Sequence, residues 1–328
     1  MKKFISISMV IVLLVSMSVT AMASTANEAG KNPGLGVRAL HKSGITGKGV
    51  SVAFIGLGIR NDNLKNFTHP EFDGRIKEYV NIGWDAKSNI PSIYAKVSAI
   101  VGKTVGTAPG ANLYMIGMNV DQTPGYKAKR AEWPSIVGGI EWVLEKNKSL
   151  SKEDKIRVIV VDSFGRFDTK EDLTVGAKVY YQTLEKAEKE GVVVIGTRGP
   201  GWGVNALLTV LVENGYYDSN SPDDVNMAKV GIPGNNNYYR NERLIHAPSV
   251  RRTLAWTNKS YKNINSNDKE GWWVNDTSSS YVAGVIAMAY QVNPNISNTR
   301  LVKLLNDTAT NNIVNPPAFI EAVKRTVK

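Results

Sequence analysis

The stretch "VAFIGLGI", Val52–Ile59, is the part of the sequence that decides the fold. It is a short apolar run that follows the turn-like "GITGKGVS" and ends among glycines. A continuous apolar run of this length predicts a strand that is buried on both faces, as in a parallel sheet. Because sites in such sheets form at the carboxyl ends of strands, Gly56 marks one place to look for chemistry.

Other apolar runs predict the rest of this sheet and the helices that cover it. Residues 112–120, 156–165 and 192–197 predict further strands, and residues 133–148 and 175–191 carry apolar side chains at helical spacing. Strands that alternate with helices in this way predict crossover units on a parallel sheet.

The last part of the chain is less regular before it becomes helical. Residues 202–243 are rich in turn residues and predict loops. Residues 279–292 predict a strongly apolar helix, and residues 297–309 predict an amphipathic helix with a polar N-cap. The sequence contains no internal repeat and no linker, which favours a single domain.

The composition and the first residues indicate an exported globular protein. The chain has 328 residues, 42% of them hydrophobic and 21% charged, and the absence of cysteine excludes disulfides and thiolate metal sites. Lys2, Lys3, the apolar run 4–19 and the small-x-small site at 21–23 predict a secretory signal peptide over 1–23. An uncleaved anchor is less favoured because the run is short for a membrane span, and no transmembrane segment is expected after cleavage.

The net charge indicates which kinds of partner the protein is expected to bind. The net charge is +11, and outside a cell such a surface favours anionic partners such as a cell-wall polymer. Nucleic acid is not expected as a partner, because an exported chain without a recognition motif gives no reason for it.

Seven phrases follow one another in an order that is typical of a known family. They are "GLGVRALHKSGITGKGVSVAFIGLGI" (34–59), "HPEFDGRI" (69–76), "SAIVGKTVGTAPGANLYMIGM" (98–118), "VVDSFG" (160–165), "GVVVIGTRGPG" (191–201), "LIHAPS" (244–249) and "TSSSYVAGVIAMAYQVNPNIS" (277–297). In this order they resemble the subtilisin-like serine proteases, the subtilases or peptidase S8 family. The resemblance spans residues 34–328 and implies an α/β, subtilisin-like three-layer sandwich with a mostly parallel central sheet and helices on both faces.

Two further expectations come from the same resemblance. Calcium is common in the family and is suggested here by resemblance only, while no other cofactor is predicted. Residues 24–33 form a short N-terminal segment between the signal peptide and the subtilase-like region. That segment is far too short for the folding prodomain that secreted subtilases normally carry.

The resemblance fails at the positions that carry the family's chemistry. Phrase by phrase, the aspartate of the catalytic triad falls on Gly56 and the histidine falls on Ile93. The oxyanion asparagine falls on Pro200, and the serine falls on Asp276 when counted back without a gap from Val282. The mechanism needs a hydroxyl, an imidazole that takes its proton and a carboxylate that orients the imidazole, and no residue here supplies what its position requires.

An active enzyme stays open as an alternative through a nearby serine. Ser278 is the fallback nucleophile, but using it requires a two-residue deletion that turns the following helix by about 200°. A role of Asp276 or Thr277 as the helix N-cap is therefore preferred. The three histidines of the chain lie away from the base position, and no metal-ligand spacing rises above chance.

The sequence thus predicts a secreted subtilisin-like pseudoprotease without an intact triad. Its retained role is predicted to be the binding of a peptide or protein at the strand edge Ser163, Phe164 and Gly165, because this phrase survives while the catalytic residues do not. An atypical active serine endopeptidase and a cell-wall or surface binding protein are the alternatives.

Overall fold

The computed structural model of the protein describes residues 28–59, 63–82, 91–118, 133–162, 177–197, 209–216, 221–224, 229–230, 244–264 and 277–327. The strands in these ranges are β1 (Ser51–Gly56), β2 (Ile76–Asn81), β3 (Asn112–Gly117), β4 (Ile156–Val161), β5 (Val193–Thr197), β6 (Thr209–Tyr216), β7 (Lys229–Val230), β8 (Leu244–Val250), β9 (Thr253–Ala255) and β10 (Tyr261–Asn263). The helices are α1 (Val37–Lys42), α2 (Pro91–Val101), α3 (Trp133–Ser149), α4 (Ala177–Lys189), α5 (Thr277–Val292), α6 (Asn298–Asp307) and α7 (Pro316–Lys324).

Within the described ranges, the central sheet has eight strands and is almost entirely parallel. Its order is β2-β3-β1-β4-β5-β6-β7, with β8 also paired to β6. Only the short pairing of β6 with β7 is antiparallel among the pairings of this sheet in the described ranges. Strands β9 and β10 form a separate antiparallel pair. The predicted mostly parallel α/β sheet is therefore confirmed.

Alternation along β1 explains why helices cover both faces of the sheet. Val52 and Phe54 belong to a core cluster that includes residues of α2, α5, α6 and α7. Ala53 and Ile55 belong to a second cluster that includes residues of α3 and α4. Since neighbouring side chains of a strand point to opposite faces, one buried strand contributes to two cores and holds the three layers together.

The strands and helices predicted from the sequence are observed, but several other observed elements were not predicted. The strands and helices predicted at both ends of the chain are present, and Ser297 caps α6 by accepting the N–H of Arg300 at 3.3 Å. Strands β6 and β7 lie within residues 202–243, which the sequence pattern predicts as loops, so that prediction is wrong for 209–216 and 229–230. The sequence pattern also did not predict β2, β9, β10, α2 or α7. Within the described ranges, none of the helices has the length and apolarity that a membrane span needs.

Candidate functional site

The candidate site lies at the carboxyl edge of the central sheet, where β1, β3 and β4 end side by side. Gly56 ends β1, and its register partner in β3 is Gly117. The N–H groups of Met118 and Asp162 donate to the carbonyls of Gly56 and Ile55 at 2.7 and 2.8 Å. The parallel pairing thus continues regularly up to the edge at which sites form in such sheets.

Gly56, on which the sequence resemblance places the family's triad aspartate, has no room for a side chain. A Cβ atom there would lie 2.5 Å from Cε1 and 2.8 Å from Cζ of Phe54, and 3.1 Å from Cβ of Asp162. Phe54 is itself part of the close-packed core, so its ring cannot simply swing aside. An aspartate at this position therefore requires the core beneath it to repack.

Ile93, on which the sequence resemblance places the family's triad histidine, is a core residue. It lies in the first turn of α2, and its side chain is 0% exposed. The cluster around it contains residues of α5, the helix that follows the family's serine position. An isoleucine in this setting has no group that can take a proton and no surface that can meet a substrate.

A buried ion pair joins α2 to the carboxyl edge of the sheet. Lys96 Nζ contacts Oδ1 of Asp162, and the two side chains are only 5% and 6% exposed. Asp162 follows β4 directly and its Cβ faces the space above Gly56. Removing two charges from water costs several kcal/mol per ion, which close pairing must offset. The carboxyl edge beside Gly56 therefore contains a buried ion pair whose desolvation cost requires close, specific contact.

Sequence reasoning missed this pair, although a signal for it was present. Lys96 is the one charged residue in the apolar stretch 91–101, and Asp162 follows the apolar run 156–161. Charged side chains are almost never fully buried unless they are paired, so each of them needed a partner. Nothing local in the sequence indicated that they pair with each other.

The start of α5 is buried as well, and it includes the fallback nucleophile. Ser278 is 0% exposed, and Thr277, Ser279 and Ser280 are at most 1% exposed. The hydroxyl of Thr277 lies 3.5 Å from the carbonyl oxygen of Ser249. A nucleophile must reach its substrate, and Ser278 offers no surface for that contact. Pro200, Asp276 and the edge 163–165 lie outside the described residues.

The histidines are occupied by contacts that hold the fold. His41 Nε2 lies 2.8 Å from the Thr107 carbonyl oxygen, and His69 Nε2 lies 2.9 Å from the Ser260 carbonyl oxygen. Burial lowers the pKa of both His41 and His69, although these carbonyl contacts act in the opposite direction. His246 is buried within β8. The two lowered pKa values favour neutral rings that serve packing and hydrogen bonding.

A second buried carboxylate, Glu71, binds protein donors. It is 1% exposed and accepts N–H groups of Thr104 at 2.7 Å and Val105 at 3.3 Å, and the hydroxyl of Tyr261 at 2.7 Å. The Thr104 hydroxyl donates to it too. Burial alone raises the pKa of Glu71, but these hydrogen bonds together outweigh it and the pKa is lowered. Tyr261 responds oppositely: burial and then the bond to Glu71 raise its pKa.

The described residues do not assemble a metal site. No group of three or more histidine, aspartate or glutamate side chains comes together within the ranges given above. Calcium prefers six to eight oxygen ligands, including carboxylates, and the oxygens of Glu71 already accept protein hydrogen bonds. The calcium expectation thus finds no support among the described residues, and no chemistry is assigned to a metal.

Comparison with known proteins identifies the fold. No protein-family model matches the sequence, and no curated protein matches it. Solved structures do match. The PatG macrocyclase in complex with peptide has a TM-score of 0.61 at 14% identity, with 88% of this chain and 95% of that chain covered. The A-subunit of the AB5 toxin from E. coli has a TM-score of 0.62 at 14% identity, with 84% and 92% covered.

A third match carries the family's name directly. A cold adapted subtilisin-like serine proteinase has a TM-score of 0.54 at 18% identity, and the match covers 83% of this chain and 86% of that chain. The three structures share the arrangement described above across most of their own length. The chain therefore has the subtilisin-like fold.

Proposed function

We propose that this protein is an exported, catalytically inactive protein of the subtilisin-like fold that binds an extended peptide or protein segment at the edge 163–165. The observation that carries the proposal is the Lys96–Asp162 ion pair beside Gly56 and Ile93. Core packing and a buried ion pair stand where the reaction requires a carboxylate and an imidazole.

The proposed inactivity is supported by the chemistry and burial of the described residues. Neither glycine nor isoleucine transfers a proton, and Gly56 has no space for the missing carboxylate. Ser278 is buried, and two of the three histidines make hydrogen bonds to carbonyls elsewhere in the fold. The proline at the oxyanion position also lacks the side-chain donor and the N–H that would stabilise developing negative charge.

Binding is supported by the part of the fold that is unaltered. Strand β4 pairs with β1, with one register shift between Ser51 and Val52, and with β5, and residues 163–165 follow it closely in the sequence. Extended peptides commonly bind by adding a strand to an exposed edge, with backbone hydrogen bonds that do not need a catalytic residue. The PatG macrocyclase, which shares this fold, was solved in complex with a peptide.

The first experiment separates the inactive protein from an atypical serine endopeptidase. Purified mature protein is incubated with quenched-fluorescent casein and with a fluorophosphonate probe, and we expect neither turnover nor labelling. Labelling that maps to Ser278, Ser279 or Ser280 and disappears in the matching alanine variant would contradict the proposal. It would instead establish the endopeptidase alternative.

The second experiment tests binding by itself. A peptide array identifies extended ligands, and calorimetry compares Ser163→Ala with Ser163→Pro. Proline removes a backbone N–H that a bound strand would use, so we expect Ser163→Pro to abolish binding and Ser163→Ala to retain it. Unfolding curves establish that both variants fold. If no peptide binds the folded wild-type protein, the binding role is wrong even where inactivity holds.

Export is tested separately from both roles. The secreted protein is collected from the native host and its N-terminal residue is sequenced, and we expect Ser24 after cleavage behind the 21–23 site. Retention of the protein inside the cell with residues 1–23 intact would contradict export without affecting the other two tests.

A further inference from the structure

A solvent-open hollow lies at the amino edge of the sheet, opposite to the edge that carries Gly56. It has a volume of about 320 Å³ and is lined by Thr46, Lys48, Arg75, Pro109 and Gly110. These residues precede β1, β2 and β3, which are parallel neighbours, so their lead-in segments meet at one edge. The hollow is thus separate from the candidate site described above.

Among the described residues, the lining of the hollow includes two cations, Lys48 and Arg75, and no carboxylate. Among the ion pairs between described residues, none involves Lys48 or Arg75. Arg75 makes one long hydrogen bond, 3.4 Å, from Nη1 to the Gly110 carbonyl, which leaves most of its N–H donors available. Asp73, the acidic residue nearest to Arg75 in sequence, lies 3.6 Å from Nζ of Lys103 instead.

The side-chain amide of Gln291 holds the loop that contains Lys48 in place. Oε1 of Gln291 accepts the N–H groups of Thr46, Gly47 and Lys48 at 2.8, 2.7 and 3.2 Å, while its Nε2 donates to the Gly44 carbonyl at 2.8 Å. The backbone next to Arg75 is fixed by its place at the start of β2. Both cations therefore project from ordered backbone, which reduces the entropy lost when a ligand binds.

We propose that this hollow binds the phosphate groups of an anionic phosphodiester polymer. A guanidinium fork matches the oxygens of a phosphate group, an ammonium group adds a compact charge, and the Thr46 hydroxyl can donate a further hydrogen bond. The volume exceeds that of one phosphate, so the hollow has room for a polymer unit around it. Without Lys2 and Lys3 of the predicted signal peptide, the net charge is 11 − 2 = +9, which increases the rate of encounter with a polyanion. This inference does not depend on the proposed peptide binding.

The test uses a synthetic glycerol-phosphate oligomer and calorimetry at low salt. We expect Lys48→Gln and Arg75→Gln each to weaken binding about tenfold, through loss of a charge-assisted contact. Lys178→Gln is the matched control, because it removes the same charge from an exposed position in the first turn of α4. It is expected to change affinity less than about twofold. The exposed Lys48 variant keeps the test informative if Arg75→Gln folds poorly.

Three outcomes would overturn the proposal. Equal losses in Lys48→Gln, Arg75→Gln and Lys178→Gln would mean that overall charge, not the hollow, binds the oligomer. Equal affinity for polyglutamate of matched length would mean that phosphate is not recognised. Inorganic phosphate binding as tightly as the oligomer would mean that the ligand is a single phosphate group and that the polymer assignment is wrong.

Discussion

Helix α2 and the turn that follows it are fixed by two different ways of burying charge. In the middle of the helix, Lys96 is paired with Asp162, so two opposite charges share the desolvation cost. Beyond its last residue, the carboxylate of Glu71 binds N–H groups of Thr104 and Val105 and the hydroxyl of Tyr261. The ion pair lies beside Gly56 at the carboxyl edge of the sheet, whereas the Glu71 contacts fix the turn that follows the helix. The charged pair thus links α2 to the sheet, whereas the Glu71 carboxylate stabilises the turn after the helix.

The ion pair should give the largest effect on stability. Lys96→Met leaves the Asp162 carboxylate buried without its cation, and we expect the free energy of unfolding in urea to fall by about 3–5 kcal/mol. The double variant Lys96→Met with Asp162→Leu removes both charges and should recover most of that loss. If the single variant costs less than about 1 kcal/mol, the pair does not hold α2 to the sheet.

The Glu71 contacts should give a smaller effect of the same sign. Glu71→Gln keeps the shape but loses the charge that strengthens several hydrogen bonds, and we expect a loss of about 1.5–3 kcal/mol in urea unfolding. Glu145→Gln is the control, since Glu145 forms an exposed pair with Lys148 and should cost less than about 0.5 kcal/mol. Equal effects of the two substitutions would show that the buried network adds nothing.

The comparison also explains what the sequence could predict. Strands β1, β4 and β5 are buried on both faces, so their burial appears as continuous apolar runs that local reading detects. Strand β6 contains Glu213 and Asn214 and lies among turn residues, so the same rule misses it. Its pairing with β5 and β8 is a tertiary property that no local pattern contains.

The candidate site also contains features that the sequence predicts and features that it does not. Phrase order predicts that Gly56 and Ile93 lie at triad positions, because those phrases keep the family's spacing. The Lys96–Asp162 pair could not be predicted, since its members lie on elements that only the folded sheet brings together. The structure was therefore needed to learn which charged side chains meet beside Gly56.

Lowering the pH should reduce the stability of the fold in two steps, first through His41 and His69 and then through Glu71. The pKa values of His41 and His69 are lowered by burial, so stability is complete above the unfolded value of about 6.5 and falls as pH drops below it. The pKa of Glu71 is also lowered, so its contribution is lost at lower pH, below about 4.5. Melting temperatures should be level near neutral pH and then decline in both windows. His41→Gln should flatten the first decline and Glu71→Gln the second; unchanged curves would contradict the assignment.

Two buried tyrosine hydroxyls differ in whether they have a hydrogen-bond partner, and we expect this difference to have the smallest effect on stability. The Tyr180 hydroxyl is buried and has no hydrogen-bond partner among the described residues, whereas the Tyr290 hydroxyl donates to Oδ1 of Asn298 at 2.7 Å. Tyr180→Phe removes an unsatisfied polar group and should leave stability unchanged or raise it by up to about 1 kcal/mol. Tyr290→Phe removes a satisfied one and strands the Asn298 oxygen, so it should lower stability by about 1 kcal/mol. The two substitutions delete the same atom from the same residue type, so only the partner differs. Equal unfolding midpoints for the two variants would mean that a hydrogen-bond partner does not change the free-energy cost of burying a polar group in this fold. The same result would contradict the explanation given for the buried charges of Lys96, Asp162 and Glu71.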